Sequence, residues 1–91
     1  MRRELILRPN AVNLIVSDNT ISDEEKIIRL WAIQHINPRS RTGAEAWAAL
    51  RNIMGVDASQ ALAFIDGFMR AGEKRNPLEM LLEKDILQIA S

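Results

Sequence analysis

With 91 residues, 47% apolar content and 26% charge, the chain has room for one globular domain and falls outside the disordered and fibrous classes. Twelve basic residues against twelve acidic give zero net charge, so no overall field draws it to nucleic acid or to an anionic membrane. Cysteine is absent, which excludes disulfides, thiolate chemistry and cysteine-ligated metal, and the apolar stretch Leu5 to Leu7 after Arg2 and Arg3 is too short for a secretory h-region or a membrane span.

Residues 1–21 admit two readings. Pro9 can sit in the first turn of a short helix whose body is Ala11, Val12, Leu14, Ile15 and Val16. Alternatively, Leu5 and Leu7 alternate with polar neighbours, Arg8-Pro9-Asn10-Ala11 turns the chain, and the β-branched residues that follow complete a hairpin. The short helix is preferred, because everything downstream is helical and a lone hairpin is marginal. Ser17-Asp18-Asn19-Thr20 then forms a turn.

From there on, helix starts are written in capping boxes, in which a small polar residue is followed three positions later by Glu or Gln. Ser22 precedes Glu25, Thr42 precedes Glu45, Asp57 precedes Gln60, and Asn76 precedes Glu79 with Pro77 at the first helical position. Helices are expected near 23–36, 43–54, 58–71 and 77–90, with Gly55 and Gly72 closing the two middle ones. Asn37 before Pro38 ends the first of the four.

On that helix Ile27, Leu30 and Trp31 lie together, whereas Ile33 and Ile36 fall off the stripe. A helix apolar on more than one side is either central to a bundle or part of an interface. The next two helices are cleanly amphipathic, one with Ala46, Trp47, Leu50, Ile53 and Met54, the other with Ala61, Leu62, Phe64, Ile65, Phe68 and Met69. Gly67 sits on the polar side of the latter, a place for a close helix crossing. On the last helix Leu78, Leu82, Ile86 and Ile89 make the expected core stripe, and Met80 and Leu87 project to nearly the opposite side among Glu83 and Lys84. One small bundle does not readily bury both stripes.

Chemistry-bearing residues are sparse. His35 is the single histidine, without a nucleophile or acid at a diagnostic offset, and is expected to be partly buried. Trp31 and Trp47 are expected in the core. The acidic residues occupy first helical turns, caps and a solvated face formed by Glu83, Lys84 and Asp85. No nucleophile–base pair or metal set is visible, so no enzymatic activity, cofactor or metal is expected.

The expected fold is all-α, an irregular bundle of four to five short helices in one domain, with the first ~20 residues a possible strand or arm. The expected role is a small cytoplasmic regulatory or adaptor protein, of the kind bacteria and phages encode, which binds another protein and pairs with a second copy of itself. Ile33, Ile36, Met80 and Leu87 are the candidate contact residues, as surplus apolar surface. The alternative is a helical DNA-binding regulator, in which Arg39 and Arg41 beside a helix start act with the arm carrying Arg2 and Arg3.

Overall fold

The computed structural model describes residues 4–90. In chain order these form β1 (Glu4–Leu7), α1 (Ala11–Val16), α2 (Asp23–Ile36), α3 (Arg41–Met54), a 3₁₀ turn (Gly55–Gln60), α4 (Ala61–Arg70), α5 (Pro77–Glu83) and β2 (Leu87–Ala90). The all-α expectation holds for the body of the molecule: four helices pack around α2, and a two-stranded antiparallel ribbon pairs β1 with β2.

Local signals account for most helix boundaries. Ser22 Oγ accepts from the Glu25 amide at 3.2 Å and Asn76 Oδ1 from the Glu79 amide at 2.8 Å, each satisfying an orphan donor of a first turn. At α3 the cap is Ser40, whose Oγ accepts from the Gly43 amide at 2.9 Å, so the cap stands two residues before the expected Thr42. Gly55 at φ 63° closes α3, and Gly72 at φ 117° follows the end of α4. Asp57 caps nothing, because the chain leaves Gly55 in a 3₁₀ turn and regular α-helix resumes only at Ala61.

Residues 77–90 depart most from the sequence reading. α5 ends at Glu83, and the next three residues complete a Schellman closure. The Ile86 amide donates to the Leu81 carbonyl and the Asp85 amide to the Leu82 carbonyl, both at 3.1 Å, with Asp85 in the left-handed region at φ 57°. Buried Ile86 and Leu81 join the same apolar cluster, as this motif favours. The chain then leaves as β2, pairing with β1 in the register Leu7↔Leu87, Ile6↔Gln88, Leu5↔Ile89. Both readings of residues 1–21 are thus half right: strand and helix both form, but the strand's partner comes from the other end of the chain.

This geometry corrects the contact-residue expectation. Met80 is fully buried with Ile28 and Ile65 where α4 packs on α2 and α5, and Leu87 is buried with Ile86 in the main cluster. Ile33 is also fully buried, because α2 is the central element and contacts α1, α3, α4 and α5. Members of both apolar sets in the last segment find cover because it changes direction at Asp85, so the two opposed stripes expected on one long helix do not form. Conversely Leu78 and Ile89, expected in the core stripe, are exposed. Each buried aliphatic contributes about 1.5–3 kcal/mol of transfer free energy. Gly67 has open space around its α-carbon and marks no helix crossing. Among the described residues, no helix is long and apolar enough to cross a membrane.

Candidate interaction surface

Of the four expected contact residues, only Ile36 reaches the surface, at 39% exposed. It sits on the last turn of α2, which Asn37 and Pro38 terminate, and it lines a cleft of about 250 Å³ against the first turn of α5. Trp31 and His35, at i and i+4 on α2, stack with ring centroids 4.7 Å apart and 12° between planes, forming one wall. Pro77 and Leu78 form the other. The Asn76 cap fixes where α5 begins and so where these two side chains stand. Leu78 is 37% exposed.

A second cleft, about 310 Å³, lies beyond the same end of α2, between Gln34, Pro38 and Trp47 of α3. Its floor is Gly43, where a Cβ would come within 2.1 Å of the Asn37 carbonyl oxygen; only glycine lets α3 approach the α2–α3 connection so closely. Trp47, expected in the core, is 37% exposed here. His35, expected to be partly buried, is exposed, and Trp31 is half-buried with its ring against the cleft. The surface near α2's C-terminal end therefore presents Ile36, Leu78 and Trp47 to solvent beside a stacked aromatic pair.

The arginine loop does not form a cradle. Arg39 and Arg41 are exposed, Arg41 lies 3.8 Å from Glu45 one turn on, and the Gly43 amide is already taken by Ser40. Arg2 and Arg3 lie outside the described residues.

One charged group that spacing did not single out is Arg29, fully buried in the middle of α2. Its Nε donates to the Met80 carbonyl at 3.3 Å and its Nη1 to Glu25 at 3.1 Å. Met80 lies in the last four residues of α5, whose carbonyls have no helical donor, so the guanidinium caps that helix. Nη2 has no hydrogen-bond acceptor and lies 3.8 Å from Glu83. Arg75, in the α4–α5 connection, extends the cluster: it grips Glu73 through Nε at 2.8 Å and Nη2 at 3.0 Å, reaches Glu83 at 2.6 Å and Glu25 at 3.3 Å. The Arg75 side chain first, then its amide, pull Glu73 from 4.5 to about 2. The Arg75 hydrogen bond likewise lowers Glu83, and Glu73 and Glu83 together raise Arg75. Glu73 and Glu83 are thus held ionised at neutral pH, so neither is poised there to exchange a proton. The cluster ties α2 to α5 and to the connection before it. In sequence the signal was Glu25 four residues before Arg29, within the run Ile27-Ile28-Arg29-Leu30.

No protein-family model, curated protein or solved structure matches this chain.

Proposed function

We propose that the chain is a small non-enzymatic regulatory or adaptor protein of the cytoplasm that acts by binding another protein, whose apolar side chain lodges in the cleft beside Trp31. The observation that carries this reading is the exposure of Ile36, Leu78 and Trp47 at one end of α2, in a fold that buries Ile33, Met80 and Leu87 completely or nearly so. Each of these side chains keeps about two-fifths of its surface in water, so a partner covering it recovers roughly 0.6–1.2 kcal/mol, two-fifths of the full transfer value. Aromatic walls suit such a contact, since rigid rings lose little entropy on binding. The volume, about 250 Å³, falls below the roughly 300–1,000 Å³ of small-molecule pockets and suits one or two inserted side chains.

The test is selection of short peptides from a displayed library against the folded chain, followed by titration of the winners using tryptophan emission. Winners are expected to carry a bulky apolar anchor and to lose about tenfold or more in affinity for Ile36→Asp or Leu78→Asp. Both variants should keep wild-type circular dichroism, because the replaced side chains are already partly in water. A library that enriches nothing, or peptides indifferent to both variants, removes the reading.

A further inference from the structure

We infer that β1 is the contact edge of a homodimer, pairing antiparallel with β1 of a second copy across a two-fold axis at Ile6. This surface is distinct from the cleft, and the inference stands independently of it.

The phase of the ribbon's ladder carries the inference. The Arg8 amide donates to the Ile86 carbonyl at 3.0 Å, so Ile6 and Gln88 are the next hydrogen-bonded pair, and Leu5↔Ile89 and Leu7↔Leu87 are non-hydrogen-bonded pairs. The N–H and C=O groups of Leu5 and Leu7 therefore point away from β2. Among the described residues they bond to no other element. β2 also packs on α5, whereas β1 has β2 as its principal neighbour. A two-stranded ribbon with an open edge is marginal by itself and a ready template for another strand.

The edge is complementary to itself in one register. A two-fold antiparallel pair must match outward-facing residues with outward-facing residues. Placing Leu5 opposite Leu7 of the second copy, and the reverse, forms four new main-chain bonds with Ile6 facing its own counterpart. Sliding two residues one way puts Leu5 opposite Pro9, which has no N–H to give; sliding the other way carries Leu7 past the described end of the facing strand. Side-chain exposure agrees. Leu5 and Ile89 are 47% and 51% exposed on the ribbon face that continues from buried Leu87, and Ile6 is 47% exposed on the other. Four strands, β2-β1 followed by β1-β2 of the second copy, would bring Leu5 of each chain beside Leu7 of the other and cover Ile6 with its counterpart.

Sedimentation equilibrium from about 10 μM to about 1 mM tests this. The wild type should dimerise. Leu5→Pro removes an outward-facing N–H and the leucine side chain while sparing the bonds to β2, and Ile6→Lys sets two ammonium groups on the axis; each should weaken dimerisation about tenfold or more, with helical circular dichroism unchanged. Ile6→Glu alone should weaken self-association as Ile6→Lys does, while an equal mixture of the two should form a heterodimer, since residue 6 faces its counterpart on the axis. If Leu5→Pro fails to fold, that mixing result decides without it. A wild type monomeric throughout overturns the inference. So does a dimer indifferent to Leu5→Pro and Ile6→Lys, or one abolished by Ile36→Asp, because association then runs through another surface.

Discussion

Replacing Arg29 by alanine should cost about 2–4 kcal/mol of folding free energy, and the size follows from its surroundings. The side chain is fully buried and gives one charged hydrogen bond to the Met80 carbonyl and one to Glu25. A hydrogen bond involving a charged group contributes about 1.5–3 kcal/mol, and stripping one partner from a buried ion pair costs about 3–5 kcal/mol. The upper figure is reduced here, because the Glu25 side chain keeps 23% of its exposure and Arg75 also contacts it. One further effect then distinguishes alanine from methionine. Both leave the Met80 carbonyl uncapped and both remove the guanidinium whose Nη2 is buried without an acceptor, but alanine also leaves a void that methionine largely fills. Arg29→Met should therefore destabilise less than Arg29→Ala. For a domain of this size the alanine variant should melt roughly 10–25 °C lower. Urea unfolding of the three proteins, compared at a common m-value, reads the difference directly. An alanine variant within about 0.5 kcal/mol of wild type, or a methionine variant less stable than alanine, would refute the view that this buried cation fastens α5 to α2.

Three further outcomes follow from the geometry. Gly43→Ala should destabilise by about 1–3 kcal/mol or more, because its Cβ would meet the Asn37 carbonyl at 2.1 Å, whereas Gly67→Ala, with open space around it, should stabilise by about 0.5–1 kcal/mol; thermal melts of the pair check both signs. Asp85→Gly should raise stability by up to about 1 kcal/mol in urea titrations, since Asp85 holds φ 57° where glycine has no Cβ to strain, and a loss would mean its side chain does more than turn the chain. Glu73 is depressed in the folded state from 4.5 to about 2, so its contribution is complete above about pH 4.5 and is lost as pH falls through about 2. The urea midpoint should decline over that window, and Arg75→Ala should flatten the decline; an unchanged slope would detach Glu73 from Arg75.

What local chemistry dictates was legible in the amino-acid order. Ser22 and Asn76 cap their helices, Gly55 and Gly72 adopt the backbone angles that close α3 and α4, and Asn37-Pro38 stops α2, because each depends on residues within a turn of one another. Even the alternation of Leu5 and Leu7 was visible as a strand, though its partner was not. The site is legible in part: Ile36 stands off the helical stripe in sequence and at the cleft in space, while the periodicity that points Leu78 inward runs past the true end of α5. Only tertiary structure decided that Asp85 would turn left-handed, because the Schellman closure is held by burial of Ile86 and by pairing of Leu87–Ala90 with a strand at the opposite end of the chain. The same long-range packing determined that Ile33, Met80 and Leu87 lie inside and that a charged Arg29 lies with them. Helix caps are set by neighbours in sequence; which face of a helix meets water is set by what the rest of the chain brings against it.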